Sequence, residues 1–420
     1  MSNSVTPRGD RPYAVVLFGA SGFTGKLVAE YLAGLQRRDL RFAIAGRNRT
    51  KLEEVRRDLV RIDPNLAELP ILIADSTDKD ALRKIADQTR VICTTVGPYA
   101  KYGLPLVEVC AQAGTDYCDL TGEVQFVRRS IDSAHATAEQ TGARIVHCCG
   151  FDSLPSDLGV HLLAEHFAKS GHKLGSAKYY VVALRGGASG GTIASGLNLI
   201  AEAAADKELR RLMGDPYALY PDRQKDRGPD RGDQKGVESD DEAGYYTAPF
   251  VMAAINTRIV RRTNALSNFA YGRDFRYAEV IANPKTPAGY LRSVATAAGT
   301  AAMLVVGSSD TLRGLAEKRL PAPGEGPSER ARNRGFFVIR LIGKSQPLPS
   351  GEVRRAECIV KGNHDPGYGE TSRMLSEAAL CLAEDPLPTQ GGVLTPALVM
   401  GSHLPDRLRR AGMTWDVRDL

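Results

Sequence analysis

Residues 13–25 read Tyr-Ala-Val-Val-Leu-Phe-Gly-Ala-Ser-Gly-Phe-Thr-Gly, an apolar run that breaks into glycines and is followed by a helical pattern from Lys26. Gly19 permits a tight turn out of a strand, Gly22 lets the backbone approach a pyrophosphate, and Gly25 lets the next helix pack close to the sheet. A pyrophosphate would then lie on the helix N-terminus, where free N–H groups and the helix dipole favour an anion. The stretch therefore predicts a strand, a dinucleotide-binding turn and a helix in succession.

The end of the second predicted strand, residues 41–45, bears on the choice of nucleotide. It runs into Gly46-Arg47-Asn48, about 20 residues after the glycine turn, where an NAD-binding domain places an Asp or Glu for the ribose 2′-hydroxyl. No acid stands there. A guanidinium at this point can form a forked, charge-assisted pair with a 2′-phosphate, so Arg47 favours NADPH over NADH. The alternative is that Arg47 only caps a surface turn.

Two more apolar strands are predicted, over residues 70–74 and 90–96, and their ends also line the crevice in which such sheets bind ligands. Asp75 follows the first of them, and its predicted role is open between capping the helix that starts near Asp78 and contacting the adenine. The predicted cofactor-binding residues are Gly19, Ser21, Gly22, Phe23, Thr24, Gly25, Arg47, Asn48, Asp75, Thr95, Val96, Gly97 and Pro98.

Strands alternate with helices up to about residue 150, which is the pattern of a doubly wound parallel sheet. We therefore expect an α/β protein with an N-terminal Rossmann-type domain over residues 1–150, onto which residues 385–420 pack back. Residues 151–384 are expected to form a second, α+β domain built on a mixed sheet, because apolar residues alternate along its strand-like segments. These segments are 178–184, 336–342 and 352–361.

Two segments of the second domain carry few apolar residues. Residues 222–244 are rich in Asp, Arg, Lys and Gly, and such a run cannot bury enough surface to fold, so a disordered loop is predicted. Residues 321–335 are rich in Pro, Gly, Arg and Ser and are predicted to be a linker. A second glycine cluster, residues 186–192, is either an anion-binding turn or a hinge.

The composition is that of a cytoplasmic enzyme. The chain has 420 residues, 43% hydrophobic and 25% charged, and a net charge of +6, which is small for this size and does not suggest a nucleic-acid partner. Its seven cysteines include no CxxC pair, its histidines have no supporting carboxylate pattern, and no metal site is predicted. Residues 1–10 have no apolar core, so no signal peptide is expected.

Residues 294–307 are almost free of charge. They are too few to span a bilayer, which needs about 20 apolar residues, and a buried helix is the simplest prediction. The alternatives are an apolar wall for an acyl chain, or a helix that dips into a membrane surface. The last of these would place the protein peripherally at the inner face of the plasma membrane.

Several motifs together resemble the saccharopine dehydrogenase-like oxidoreductases, and the resemblance runs from about residue 13 to the C-terminus. Within that family the chain is most similar to the mycobacterial trans-acting enoyl reductases, to which residues 256–265 and 270–277 add further similarity. The family motifs are Gly19-Ala-Ser-Gly-Phe-Thr-Gly25, Ala45-Gly-Arg-Asn48, Thr95-Val-Gly-Pro-Tyr99, Asp116-Tyr-Cys-Asp-Leu-Thr-Gly-Glu123, Gly150-Phe-Asp-Ser-Leu-Pro-Ser-Asp157 and Gly391-Gly-Val-Leu-Thr-Pro-Ala397.

The resemblance implies an NADPH-dependent enzyme of complex lipid biosynthesis. It would reduce an α,β-double bond in an acyl chain for a polyketide synthase that lacks its own enoyl-reducing domain. The enolate oxygen that develops needs a hydrogen-bond donor and the α-carbon needs a proton. Tyr99, Tyr117 and Asp119 are the predicted catalytic residues, with Glu123 and Asp152 also expected near the nicotinamide. For the tyrosines, packing in the core is an equal alternative, and for the acids it is helix capping.

An arginine-rich segment bears on partners. Arg258, Arg261, Arg262, Arg273 and Arg276 lie within twenty residues of one another and either steer an acidic acyl carrier domain or line the solvated face of a strand pair. A homo-oligomer is compatible with the sequence. Two other functions stay open: an amino-acid dehydrogenase of the saccharopine type, whose cations would hold substrate carboxylates, and a non-catalytic protein that binds nucleotide or lipid.

Overall fold

The computed structural model of the protein describes residues 8–186, 190–225, 227–317 and 326–420, and the side chains of 190–195 and 198 fall outside that description. Residues 187–189 of the predicted glycine cluster over 186–192 therefore lie outside the described residues, as do the side chains of 190–192. So do residues 321–325 of the predicted linker.

The elements of the described residues are numbered in chain order. The strands are β1 (Tyr13–Phe18), β2 (Phe42–Gly46), β3 (Ile71–Ile73), β4 (Thr89–Thr94), β5 (Asp116–Cys118), β6 (Arg144–Val146), β7 (Leu174–Arg185), β8 (Glu238–Asp240), β9 (Tyr245–Pro249), β10 (Arg276–Pro284), β11 (Phe336–Ser345), β12 (Arg355–Gly362), β13 (Gly392–Leu394) and β14 (Thr414–Asp419). The helices are α1 (Phe23–Gly34), α2 (Arg49–Val60), α3 (Lys79–Ala86), α4 (Tyr99–Tyr102), α5 (Leu104–Ala113), α6 (Val124–Thr141), α7 (Leu154–Lys169), α8 (Gly190–Ala205), α9 (Lys207–Gly214), α10 (Ala253–Leu266), α11 (Pro287–Ser308), α12 (Asp310–Glu317), α13 (Glu329–Asn333), α14 (Thr371–Glu384), α15 (Pro396–Met400) and α16 (His403–Arg410).

The first unit of the chain comprises the described residues of Met1–Leu154 together with Tyr368–Ala411. Its sheet has the strand order β13-β6-β5-β4-β1-β2-β3, and its neighbouring strands pair in parallel. Residues 14–18 of β1 are all buried, because a parallel sheet with helices on both faces buries every side chain of its central strands. The chain order reverses between β1 and β4, so ligands are expected at the carboxyl ends of these strands. This is the doubly wound sheet that the sequence predicts.

The second unit comprises the described residues of Pro155–Gly367 together with Gly412–Leu420. Its sheet has the order β14-β12-β11-β7-β10-β9-β8. Strands β7 and β10 pair in parallel and the other neighbours are antiparallel, so the sheet is mixed, as predicted. Helix α7 packs closely on β11, where a Cβ on Gly159 would lie 2.9 Å from the methyl carbons of Leu341.

The C-terminal part of the chain is divided between the units differently from the expectation. Helix α14 was expected in the second domain, but it belongs to the first unit, where it packs on α1 and β4. Residues 412–420 were expected to pack on the first domain, yet β14 pairs with β12 of the second sheet and Trp415 is buried there. These long-range pairings leave no local pattern in the sequence.

The charged residues 222–244 differ from the predicted disordered loop, because those that are described have specific partners. Asp230 accepts a hydrogen bond from Arg261 Nε at 2.8 Å and another from the Tyr277 backbone N–H at 3.2 Å. Gln234 Nε2 donates to Thr247 Oγ1 at 3.1 Å, and β8 pairs with β9. The carboxylates of this segment neutralise arginines that are buried elsewhere in the unit, a compensation that composition alone does not reveal.

Helix α11 contradicts the prediction of a buried helix. It is 22 residues long and therefore extends beyond the apolar run 294–307 at its N-terminal end. By length and composition it is the one helix among the described residues that could cross a membrane, yet only 11% of its most apolar window is buried. The chain therefore exposes the apolar surface that its sequence suggested would be hidden.

Candidate functional site

The candidate site is built on the turn between β1 and α1 in the first unit. Gly19 has φ +93°, and a Cβ there would lie 2.7 Å from Val96 Cγ2. A Cβ on Gly25 would overlap the carbonyl oxygen of Gly19, so α1 approaches the strand as closely as backbone allows. The Gly22 N–H donates to the same carbonyl at 3.0 Å. Gly19 and Gly25 thus have the steric roles that the sequence predicts.

The N-terminus of α1 is open to an anion. Its N-cap residue is Gly22, which has no side chain that could cap the helix. Its first turn contains no acidic residue that would compete with a bound phosphate. Gly22 is exposed, and Ser21, Phe23 and Thr24 are partly exposed around it. Backbone N–H groups and the positive end of the helix dipole are therefore available where a pyrophosphate would bind.

The carboxyl end of β2 presents a cation. Arg47 is exposed, and within the described residues it has no hydrogen bond and no ion pair, although its charge contributes to lowering the pKa of Asp75. Asn48 is the N-cap of α2, where its side chain accepts from the Lys51 N–H at 3.0 Å. Arg47 itself therefore does not cap the turn through any hydrogen bond described.

Asp75 does not cap the following helix. Its Oδ1 accepts from the N–H of Thr77 at 3.0 Å and from its hydroxyl at 2.7 Å, and these hydrogen bonds lower the pKa of the carboxyl. The cap of α3 is Asp78, which accepts from Asp80 and Ala81. Of the two predicted roles of Asp75, the capping role is therefore wrong.

The end of β4 is braced from another loop. Thr95 Oγ1 donates to the Gly19 carbonyl at 3.2 Å, which joins this loop to the glycine turn. Gly97 and Pro98 are exposed beyond it. The Glu123 carboxylate accepts from the N–H groups of Tyr99 at 2.9 Å and Ala100 at 2.8 Å and so caps α4. The sequence leaves open that Glu123 caps the helix that follows, α6, but its side chain makes no cap hydrogen bond there.

The three predicted catalytic residues lie beneath these loops, and their polar atoms are engaged inside the unit. Tyr99 is buried, and its hydroxyl donates to the Thr94 carbonyl at 3.2 Å. Tyr117 and Asp119 are fully buried, and the Tyr117 hydroxyl donates to Asp119 Oδ2 at 2.8 Å. Burial raises the pKa of both phenols well above the usual value, so both stay neutral.

Asp119 joins the loops that follow β5 and β6. Its Oδ1 accepts from the N–H groups of Thr121 at 3.1 Å and Cys148 at 3.0 Å, and its Oδ2 lies 2.7 Å from His147 Nδ1. Cys148 has φ +63°, a conformation that L residues rarely adopt, and the bond from its N–H helps to hold it there. Sequence reasoning missed His147 as a partner because it lies 28 positions away from Asp119.

The other ring nitrogen of His147 completes a buried chain. Nε2 lies 2.8 Å from Ser130 Oγ, so Asp119, His147 and Ser130 follow one another as in a hydrolytic triad. Ser130 is 0% exposed, however, and no acyl group can reach its hydroxyl. The chain therefore serves to fix the strand ends rather than to supply a nucleophile.

Asp152 differs from the other acids of this region. It follows β6 in the loop after Cys149, is partly exposed, and has no hydrogen-bond or ion-pair partner among the described residues. Helix capping, its default role, is therefore absent. Desolvation by the surrounding protein raises the pKa of this carboxyl to about 6. An acid with such a pKa can hold or release a proton near neutral pH.

The arginine-rich segment does not form the predicted docking patch or strand pair. Arg258, Arg261 and Arg262 lie on helix α10 and are buried. Arg258 pairs with Asp233 and Arg261 with Asp230, and Arg262 donates to the Leu219 carbonyl at 2.6 Å. The remaining two, Arg273 and Arg276, are exposed. Three of the five arginines of this segment are therefore buried and hydrogen-bonded inside the second unit.

Metal ligands and thiols contribute nothing further to the site. In the part of the chain that the structure describes, no group of three His, Cys, Asp or Glu residues is arranged to hold a metal ion. All seven cysteines are buried and unpaired by disulfides.

Comparison with known proteins agrees with this geometry. Residues 15–146 match the family described as the saccharopine dehydrogenase NADP binding domain. A Mycobacterium tuberculosis (strain ATCC 25618 / H37Rv) protein, provisionally named a trans-acting enoyl reductase, is 44% identical over 415 residues, covering 96% of this chain and 97% of its own. The trans-acting enoyl reductase of Mycobacterium bovis (strain BCG / Pasteur 1173P2) is 41% identical over 418 residues, with the same coverage of 96% and 97%.

A solved structure shares the fold. Apo histidine-tagged saccharopine dehydrogenase (L-Glu forming) from Saccharomyces cerevisiae aligns over 97% of this chain and 99% of that chain, with a TM-score of 0.54 and 11% identity. At 11% identity the likeness shows a shared fold and nothing more.

Proposed function

Because this chain belongs to the family of trans-acting enoyl reductases, within the saccharopine dehydrogenase-like oxidoreductases, we propose that it reduces the α,β-double bond of an acyl intermediate with NADPH. The observation that carries the proposal is the 44% identity over 96% of the chain to a relative of that name. The cation at the end of β2, where an NAD-specific domain would have an acid, supports the choice of NADPH.

The residues present fit the nucleotide. The uncapped N-terminus of α1 is suited to the pyrophosphate, and Arg47 is suited to the 2′-phosphate because its guanidinium has no other ion-pair partner within the described residues. Thr95, Val96, Gly97 and Pro98 follow β4, on the nicotinamide side of the switch point. When bound, NADPH supplies the hydride for the β-carbon.

Proton supply is assigned in this proposal to Asp152. Its carboxyl is partly exposed, unpaired within the described residues and titrates near pH 6, whereas both tyrosine hydroxyls are committed to acceptors in the core. Tyr99, Tyr117 and Asp119 then act as positioning residues. They hold the loops after β4, β5 and β6 in place, and a misplacement of about 1 Å in such loops can cost a hundredfold in rate.

The acyl substrate is proposed to arrive on an acyl carrier domain of a polyketide synthase. Support comes from the name of the relatives, since an enzyme acting in trans receives its substrate from a separate protein. The buried arginines of α10 do not contribute to such docking, which leaves Arg273 and Arg276 as the exposed cations of that segment. We propose that the enzyme acts in the cytoplasm.

The amino-acid dehydrogenase alternative is weaker. It needs free cations to hold several substrate carboxylates, and Arg258, Arg261 and Arg262 are already bonded inside the second unit. No observation on this chain favours it over enoyl reduction.

The test is oxidation of NADPH by the purified chain with trans-enoyl thioesters of increasing acyl length, both free and attached to an acyl carrier domain. NADH and saccharopine are the matched controls. Oxidation of NADPH with either form of enoyl thioester supports the proposal, and preference for the carrier-bound form supports the carrier as partner. Turnover with saccharopine alone would contradict it.

A further inference from the structure

Helix α11 of the second unit exposes most of its large apolar side chains, which a surface helix of a soluble protein normally buries. Small and hydroxyl-bearing residues instead predominate where the helix packs against the protein. The buried and half-buried positions include Gly289, Ser293, Thr296, Thr300 and Gly307, together with the apolar Met303 and Val306. A surface helix of a soluble domain normally shows the opposite pattern, with an apolar stripe toward the core.

Contacts on the inner side establish this orientation. Ser293 is fully buried and accepts a hydrogen bond from Asn283 Nδ2 at 3.0 Å. A Cβ on Gly307 would lie 2.7 Å from the Ile200 side chain, so α11 and α8 approach each other closely there. Strands β9 and β10 contact the same side of the helix.

The outer side is a continuous apolar surface. Leu291 is 67% exposed, Val305 61% and Leu304 54%, with Val294 also exposed. From Ala295 to Ala302 the exposed residues are alanines and Gly299, and Arg292 is exposed beside Leu291. The surface continues onto α12, where Leu312 and Leu315 are exposed. We call the exposed apolar residues of α11 and α12 the apolar ridge; the exposed Arg292 and Asp310 lie in the same stretch of chain.

The hydroxyl protons near the ridge are already donated within the helix. Thr296 Oγ1 donates to the Arg292 carbonyl at 2.9 Å, Thr300 Oγ1 to the Thr296 carbonyl at 3.0 Å, and Ser308 Oγ to the Leu304 carbonyl at 2.7 Å. Each hydroxyl is satisfied one turn back within the helix. This is how Ser and Thr are accommodated where no water is present.

We propose that the apolar ridge lies in the hydrocarbon boundary of a lipid bilayer. Small and hydroxyl residues on the packed side with large apolar residues on the open side are the arrangement of helices that meet lipid. The helix lies in the membrane plane rather than across it, because its inner side is packed along its length against the second unit. The contact is independent of the reduction chemistry proposed above.

A bilayer fits the ridge better than a protein partner does. The centre of a protein interface is enriched in aromatic residues, Met and Arg and carries hydrogen bonds, and the middle of the ridge has none of these. The aromatic ring and the cation of α11 instead lie at its N-terminal end, where Tyr290 and Arg292 are exposed. Both side chains are amphipathic and can keep their polar ends among the lipid headgroups while the helix lies in the membrane plane.

The experiment is flotation of the full chain in a density gradient with vesicles of phosphatidylcholine and phosphatidylglycerol. The test variant is Leu291→Gln with Val305→Gln. Its control is Val353→Gln with Leu420→Gln, two apolar residues that are 44% and 50% exposed away from the ridge. We expect the wild type and the control to float, also at high salt, since the attachment is apolar. The test variant should float roughly tenfold less.

Three results would overturn the proposal: a wild type that stays at the bottom of the gradient, a test variant that floats like the control, or flotation abolished by salt. A fourth is a dimeric wild type that the test variant converts to monomer without any vesicle binding, which would make the ridge an interface between two copies. Circular dichroism of the variants establishes that they are folded without relying on enzymatic activity, so a failure of the proposed reaction does not affect the result.

Discussion

Asp119 Oδ2 lies 2.7 Å from His147 Nδ1, and both side chains are closed off from solvent inside the first unit. This pair links the strand end of β5 to that of β6, and Asp119 also accepts from the Tyr117 hydroxyl and from backbone N–H groups of the same two loops. A buried carboxylate with this many partners is difficult to replace, because each partner would lose its acceptor. The pair therefore positions the edge of the sheet where substrate chemistry is expected.

Replacing Asp119 should chiefly damage stability. We expect Asp119→Asn to lower the free energy of unfolding by about 3 kcal/mol, because the amide has only one acceptor oxygen and leaves some of the buried donors around it without a partner. Urea unfolding followed by circular dichroism measures this. Asp132→Asn is the control, since that carboxylate is largely exposed in its pair with Arg128 and should change stability by less than about 1 kcal/mol. Equal effects of both variants would contradict the structural role.

Tyr117→Phe distinguishes positioning from proton transfer. The substitution removes only the hydroxyl that donates to Asp119 at 2.8 Å. We expect stability to fall by about 1 kcal/mol and kcat to fall far less than the roughly hundredfold or more that loss of a general acid causes. The measurements are kcat with a soluble enoyl thioester and urea unfolding. A hundredfold drop in kcat with unchanged stability would instead make the phenol the proton donor.

Arg47→Ala should weaken binding of NADPH and leave NADH unaffected. A charge-assisted hydrogen bond to the 2′-phosphate is worth about 1.5–3 kcal/mol, which corresponds to a rise of roughly 10- to 100-fold in Kd. Fluorescence titration with both nucleotides measures the ratio. Arg49→Ala is the matched control, since Arg49 is exposed two residues further on and is near Glu53 instead. If the two variants lost affinity equally, the effect would be one of general charge.

Asp152→Asn should change stability and activity in opposite directions, and both effects should depend on pH. Desolvation raises the pKa of this carboxyl from 3.8 to about 6, so its ionised form destabilises the fold above pH 6, and the penalty disappears below about pH 4. The variant should therefore be more stable than wild type at pH 8, by about 1–2 kcal/mol, and equally stable near pH 4.

Its kcat should be lower by a factor of roughly 100 or more, and wild-type kcat should decline as pH rises through 6, because the acid form is then depleted. Rates and urea unfolding across this pH range give both readouts. Unchanged kcat in Asp152→Asn would remove Asp152 as the proton donor, whatever its effect on stability.

Asp230→Ala tests whether residues 222–244 are a structural part of the second unit. The substitution leaves the buried guanidinium of Arg261 without its carboxylate, which should cost about 3–5 kcal/mol. Asp222→Ala is the control, because that carboxylate is half exposed in its pair with Lys225. Thermal unfolding compares the two. A small effect of Asp230→Ala would instead support the prediction, made from composition, that residues 222–244 form a disordered loop.

Local sequence was enough for the parts of the protein that local geometry controls. The turn at Gly19 and the close approach at Gly25 follow from the absence of a Cβ, and the buried β1 follows from its unbroken apolar run. Arg47 could be located at a strand end by counting from the glycine turn. These features depend on neighbours in the chain, so their pattern can be read directly.

Tertiary structure alone decided which polar groups are buried together and which way the helices face. Asp119 and His147 are far apart in the chain and meet only because β5 and β6 are neighbours in the sheet. The arginines of α10 look like a surface patch until the carboxylates of residues 222–244 fold over them. The sequence of α11 is apolar over most of its length and does not indicate which side of the helix faces the protein. Its packing through Ser293 and Gly307 turns the apolar side outward, because burial is a property of what the rest of the chain brings against a residue.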